Sequence, residues 1–431
     1  MTPRLTRRVA LISAGALMFS TALVGASQAE TTLTFLVDNA DASVAWAQQL
    51  VTDFEAQNPD IKISIETRPG GTDGDNIVKT RLATGEMTDI FNYNAGSLFQ
   101  AINPVQNLVD LNAEPWEADV LDSFKSVVTA PDGHVYGAPF GAAMGGGVLY
   151  NKKIYADLGL QVPKDWATFM ANSEKVKAAG KTGVIQSFAD SWTAQLFVLG
   201  DYFNVQAAIP DFAAKYTANK IKIADTPAAL RGFQHGKEVF DAGLLNADAS
   251  AATLDDALRQ LATGEGAHYP MLTFAISNIQ ANYPDNLNDV GFFALPGDSA
   301  SSNGVTVWMP SAVYIAKTSK HQDEAKKFVA FLASVPGCDA ITKANGATGP
   351  YLIKGCKLPD DVPAGVADLL PYFQSNGTTA PALEFVSPVK GPNLSQITVE
   401  VNSGIRSPEE GAALYDEDVK KQAQQLGLPG W

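Results

Sequence analysis

Between residues 33 and 65 the spacing of apolar residues changes period twice. Residues 33–37 form a β-rich run, and from Val44 the apolar positions recur at Ala47, Leu50, Val51 and Phe54, the spacing of one helical face. Asn58-Pro59-Asp60 breaks that helix, after which Ile61, Ile63 and Ile65 alternate with Lys62, Ser64 and Glu66 as in a half-buried strand. This β-α-β order predicts an α/β architecture with largely parallel strands and helices on both faces. A second helix is predicted over 76–84 with Gly85 as its stop, then a short strand over 89–93. Ligands of such sheets bind beyond the carboxyl ends of the strands, which selects the loops 38–43 and 92–97.

Further along, Gly141 to Gly147 reads as a flexible stretch between extended runs at 135–140 and 148–151. Helices fit 166–179, 227–242, 254–263, 323–334 and 408–426. No internal repeat is visible. At 431 residues, 46% hydrophobic and 18% charged, the chain can bury a large core and calls for two domains or one large one. Its net charge of −15 opposes attraction to phosphate backbones, so nucleic acid is not expected as a partner.

The first 29 residues read as a segment removed from the mature protein. Arg4, Arg7 and Arg8 precede an apolar or small run over 9–25, and Ser27-Gln28-Ala29 supplies small residues at a cleavage site before Glu30. Arg7-Arg8 leaves both general and twin-arginine export open. Cleavage would leave 402 residues, and losing three arginines takes the net charge from −15 to −18. Cys338 and Cys356, 18 apart in an exported chain, favour one disulfide, which stabilises by about 3 kcal/mol in the chain-entropy picture.

Four stretches in order make the chain resemble the sugar-binding branch of bacterial extracellular solute-binding proteins, which feed ATP-driven importers. They are Phe54-Glu55-Ala56-Gln57-Asn58-Pro59-Asp60-Ile61, then Thr84-Gly85-Glu86-Met87-Thr88-Asp89-Ile90, then Asp132-Gly133-His134-Val135-Tyr136-Gly137-Ala138-Pro139 continuing to Asp165-Trp166, and finally Thr263-Gly264-Glu265-Gly266-Ala267 continuing to Leu295-Pro296-Gly297. The resemblance implies a two-lobed, type II-like periplasmic binding protein fold with a hinge of crossing strands. Lobe I would hold 30–141 and 297–334, and lobe II 142–296 and 335–431, with the glycine cluster as hinge and ligand-facing backbone. It also implies a periplasmic monomer without cofactor or metal, which closes on a mono- or small oligosaccharide and delivers it to a membrane permease.

Sugar hydroxyls need hydrogen-bonding partners, and the C–H faces of a pyranose need flat rings. Carried over position by position, the family's pocket falls on Asp38, Asn39 and Ser43, on Tyr93, Asn94 and Ser97, and on Met144. Ser187, Trp192, Phe274, Trp308 and Asn393 complete it, with Lys390 nearby. Phe274 and Ile276 stand where relatives often have two tryptophans, which weakens the case for a long maltodextrin. Met144 lies where some relatives place a carboxylate. A binder of a polyol or polyamine is one alternative, and an exported glycoside hydrolase with two distant carboxylates is another. Other chemistries fare worse: His134, His235, His268 and His321 form no His-Glu-x-x-His set, and Lys175 stands where a phosphate loop ending in Gly180-Lys181-Thr182 needs glycine.

Overall fold

A computed structural model describes residues 30–431; the expected leader at 1–29 lies outside the described residues. The chain opens with the predicted β-α-β unit. Strand β1 (Thr31–Asp38) leads into helix α1 (Asp41–Gln57), which buries Ala42, Trp46, Ala47, Leu50 and Phe54 along one stripe. Asn58 closes that helix with its backbone N–H on the carbonyls of Phe54 and Glu55, and Pro59 prevents continuation. Strand β2 (Ile61–Arg68) then pairs with β1 in parallel, Thr31 opposite Ile61 through Asp38 opposite Arg68. Helix α2 (Gly71–Thr84) starts five residues earlier than its apolar spacing suggested and ends on Gly85 at φ +74°, a conformation that favours glycine.

Strand β3 (Ile90–Tyr93) adds to β1 in parallel. Strand β4 (Gly137–Pro139) completes the first lobe's outward pass, and the chain crosses at 140–143 into a second sheet. There β5 (Met144–Asn151) is the central strand, followed by α3 (Trp166–Ala178), β6 (Thr182–Val184), α4 (Pro227–Asp241) and α5 (Leu254–Ala262). Strand β7 (Gly266–Leu272), helix α6 (Ala275–Asn282), β8 (Val290–Ala294) and β9 (Val305–Trp308) follow. A second crossing at 309–311 returns the chain to β10 (Ala312–Ile315), then α7 (Gln322–Leu332) and α8 (Val335–Asn345). The last part holds α9 (Ala364–Gln374), β11 (Thr379–Pro381), α10 (Leu394–Asn402) and α11 (Pro408–Gln425). The first sheet runs β2-β1-β3-β10-β4 and the second β11-β9-β5-β7-β6, with β8 also on β5.

This topology corrects the expected lobe boundaries. Strand β9 pairs with β5 and β11, so residues 305–308 belong to the second sheet and the return crossing falls after Trp308 instead of at Gly297. Helix α8 packs along α1, so 335–345 stay with the first lobe. The chain passes over for the third time after α8, reaching the second lobe where α9 lies on β8. Cys338 in α8 is bonded to Cys356, with Cα atoms 6.1 Å apart, pinning the start of that passage.

The glycine cluster is also not a flexible stretch. A Cβ on Gly146 would come within 2.2 Å of the Trp308 ring, and one on Gly147 within 2.4 Å of the Phe293 carbonyl. Glycine is required in β5 because neighbouring strands and the Trp308 ring approach its backbone too closely for any side chain. Only Gly141, at φ +121°, marks the turn itself.

Candidate functional site: the interlobe cleft

Three chain crossings leave one deep cavity of about 480 Å³ between the lobes, inside the 300–1,000 Å³ range of small-molecule sites. The first lobe supplies the loop after β1. Asp38 ends the strand, where its carboxylate accepts hydrogen bonds from the Ala40 N–H at 3.1 Å and the Ser43 hydroxyl at 3.0 Å. These bonds fix the loop that leads into α1, and Asp38, Asn39 and Ser43 all line the cavity. Asn94, just after β3, lines it too.

The second lobe supplies an aromatic wall. Trp192 and Phe274 are half-buried, with ring centroids 6.0 Å apart and planes tilted by 34°. Trp192 reaches across to Gly71 at the start of α2, where a Cβ would lie 3.3 Å from its ring. Both rings line the cavity and offer flat faces to a ligand. Met144 and Trp308 line it from the crossing strands. The Trp308 indole donates to Glu384 at 2.5 Å, and Glu384 accepts a second bond from Lys390 at 2.7 Å.

Four other sequence-selected residues lie away from this cavity. Tyr93 is fully buried on β3, its ring under the Arg68 guanidinium at 5.8 Å. Burial, and after it the Asp75 carboxylate, pushes its hydroxyl well above the usual range. Ser97 is buried at the start of the short helix Ser97–Gln100. Ser187 is fully buried between Thr193 and Tyr269 at 2.9 and 2.6 Å, so it shapes the turn that presents Trp192. Asn393 is bonded to Asp418 through both its backbone and its amide, at 2.8 and 2.6 Å, which joins α10 to α11.

The structure adds charged groups that sequence reasoning did not select. Arg68, Asp75 and Glu384 cluster at one part of the cleft, beside the Lys390 that the sequence had already placed near the pocket. Burial raises the Asp75 carboxyl, and Arg68 opposes that rise. Asp41, Asp190 and Asp255 meet elsewhere on its walls. Partial shielding from water raises the Asp255 carboxyl, with Asp41 and Asp190 adding to the effect. Asp190 also accepts from the Leu254 N–H at 2.7 Å, holding the start of α5. These residues are scattered over more than 300 positions and no local motif announces them. Among the described residues, no group of three or more His, Cys, Asp or Glu side chains has the arrangement of a metal site.

A pair of α/β lobes, linked by crossing strands around a cleft with one aromatic and one polar wall, defines a two-lobed ligand-binding protein. The sequence model described as "Bacterial extracellular solute-binding protein" matches residues 39–337, and the chain belongs to that family. Its members bind solutes and are not enzymes, which sets the hydrolase alternative aside. The "Multiple sugar-binding protein" of Streptococcus mutans is 25% identical over 319 residues, 73% of either chain. The "Melibiose/raffinose/stachyose-binding protein MelE" of Bacillus subtilis is 23% identical over 331 residues, 74% of either chain. Among solved structures, a "Chitin oligosaccharide binding protein" superposes with TM-score 0.78 and 22% identity, covering 92% of this chain and 99% of that one. "SBP RafE in complex with raffinose" superposes with TM-score 0.75 and 21% identity over the same shares. Both share the two-lobed fold.

Proposed function

We propose that this chain is the substrate-binding component of a carbohydrate importer. It holds a mono- or small oligosaccharide in the interlobe cleft and presents it, by closing about the crossing strands, to a membrane permease driven by ATP hydrolysis. The protein works as a monomer in the periplasm, after residues 1–29 have been removed. The observation that carries this reading is the pairing of two walls in one cavity. Trp192 and Phe274 offer ring faces from one lobe, while Asp38, Asn39, Ser43 and Asn94 offer dense hydrogen-bonding groups from the other. A pyranose needs both at once, because its hydroxyls cost about 1–3 kcal/mol each if buried unpaired, while its C–H faces gain from aromatic contact. The sugar-binding names of the two curated relatives support the same ligand class.

Ligand that binds only the folded state raises the melting temperature by mass action. A thermal-shift screen with hexoses, disaccharides, raffinose-type trisaccharides, polyols and polyamines tests the proposal. The account expects one or more sugars to raise the midpoint by several degrees. A response to polyamines or polyols alone would overturn it.

A further inference from the structure

The short helix Leu383–Val386 touches both lobes at once. It follows β11 on the second sheet and is tied to β9 twice: the Ala382 N–H donates to the Val307 carbonyl at 2.9 Å, and Glu384 accepts from the Trp308 indole. Leu383 packs on the second lobe's core of Tyr202, Tyr216 and Leu394. Phe385, two residues on, meets the first lobe at Gly96. A Cβ on that glycine would lie 2.7 Å from the Phe385 ring and 2.5 Å from the Glu384 carbonyl, so no side chain fits between the lobes there.

Gly96 is held in its own lobe by its N–H, which donates to the Val127 carbonyl at 2.8 Å, and its φ of +70° favours glycine in any case. The same device recurs at another point of the cleft, where Trp192 lies against Gly71, at φ +65°. Twice, then, an aromatic ring of the second lobe rests on bare backbone of the first. Attraction of this kind fades within about an ångström of added gap. Both contacts therefore belong to the closed relation of the lobes and vanish when the lobes separate.

We propose that Phe385 seated on Gly96 is a closure latch, which holds part of the sugar-free population closed and so tunes the affinity for every ligand without choosing among them. This rests on the closure described for the carbohydrate reading and adds what sets its balance. The apparent dissociation constant is the intrinsic one divided by the fraction of molecules in the binding-competent state. Weakening the latch multiplies that constant by one factor for all sugars, whereas a lost ligand contact costs each sugar differently. The distinction matters because Phe385, like its neighbour Glu384, lines the cavity.

Spin labels on Thr80→Cys in α2 and Glu409→Cys in α11, exposed positions in opposite lobes, report lobe separation, and the native cysteines are already paired. Without sugar, the wild-type background is expected to show a short-distance population that Phe385→Ala reduces several-fold. Calorimetry with three sugars that bind wild type should show each weakened by the same factor in Phe385→Ala, about fivefold or more. Gly96→Ala should act alike, and the double variant should lose less than the product of the two single losses. Should Gly96→Ala fail to fold, Phe385→Ala decides alone. Distance distributions unchanged by Phe385→Ala, or losses that differ widely from sugar to sugar, overturn the latch and leave the carbohydrate reading standing. Binding of no sugar to wild type overturns that reading, and the sugar-free distances then decide the latch by themselves.

Discussion

The indole Nε1 of Trp308 donates to Oε1 of Glu384 at 2.5 Å, joining the crossing strand β9 to the short helix Leu383–Val386 at the edge of the cleft. Glu384 also accepts from Lys390, and the two charged side chains retain only 10% and 14% exposure. Replacing one member of a buried pair leaves the other charge uncompensated, which costs about 3–5 kcal/mol. Glu384→Ala is therefore expected to lower stability by that order in urea denaturation, and Glu384→Ala with Lys390→Met to recover part of the loss. Equal losses in the single and double variants would count against the pairing.

The aromatic wall should matter for binding more than for folding. Trp192 and Phe274 are half-buried at the cavity, so Trp192→Ala and Phe274→Ala should each weaken sugar binding by roughly 2- to 13-fold, as an aromatic contact of about 0.5–1.5 kcal/mol implies. Phe35→Ala, at a fully buried core position, should instead cost about 3–5 kcal/mol of stability. Calorimetry and denaturation on the same samples distinguish the two outcomes.

Asp201 makes folding sensitive to alkaline pH. It is almost wholly buried, and that burial pushes its carboxyl up to about 8, with Asn204 and Arg231 opposing the shift. The folded state thus holds a proton that the unfolded chain loses above about pH 4. Stability falls as pH rises toward 8 and levels off beyond it. His235 and His268, held below their usual range by burial, work in the opposite sense below about pH 6.5, while His134, raised by its bond to Asp110, adds to the fall above 6.5, so the Asp201 share is the part of the slope that its own variant removes. Melting temperatures are expected to fall between about pH 6.5 and 8, and Asp201→Asn should flatten the profile. A slope unchanged in the variant would sink the assignment.

Gly146→Ala tests the close packing of the crossing strands. The added methyl meets the Trp308 ring, so the ring must move, at about 1–3 kcal/mol for overpacking. Because Trp308 lines the cavity, sugar affinity should fall together with stability. A variant as stable as wild type would show that β5 has room that the structure does not contain.

Local chemistry made much of this fold readable. The β1-α1-β2 unit, the end of α2 at Gly85 and the helices beginning at Trp166, Pro227, Leu254 and Pro408 all follow from periodicity, proline and capping residues. Capping boxes at Thr253 with Asp256 and at Ser407 with Glu410 reinforce two of those starts. The lobe boundaries were less readable because strand partnership is long-range: nothing near Thr306 declares that it pairs with Gly146 on β5, more than 150 residues away. For the site, Asp38, Asn39, Ser43 and Asn94 follow from the rule that ligands sit beyond strand ends. Tyr93 and Ser97 flank the same loop, yet their side chains turn into the core, a matter of strand facing that one residue reverses. Ser187 and Asn393 are polar residues that satisfy other protein groups, and composition does not distinguish those from groups facing a ligand. Asp41, Asp190 and Asp255 escaped notice because each looks like an ordinary helix-start acid until the lobes bring them together.

The central claim is that a sugar is held between the two lobes by the Trp192–Phe274 wall and the loop that follows β1. Calorimetric titration of a binding sugar into wild type, into Trp192→Ala with Phe274→Ala, and into Asn39→Ala tests it most directly. The account predicts one-to-one binding in wild type, a loss of at least tenfold in the aromatic double variant, and a smaller loss in the loop variant, with all three proteins folded. Unchanged affinity in the aromatic double variant and the loop variant would place the ligand outside this cleft and contradict the account.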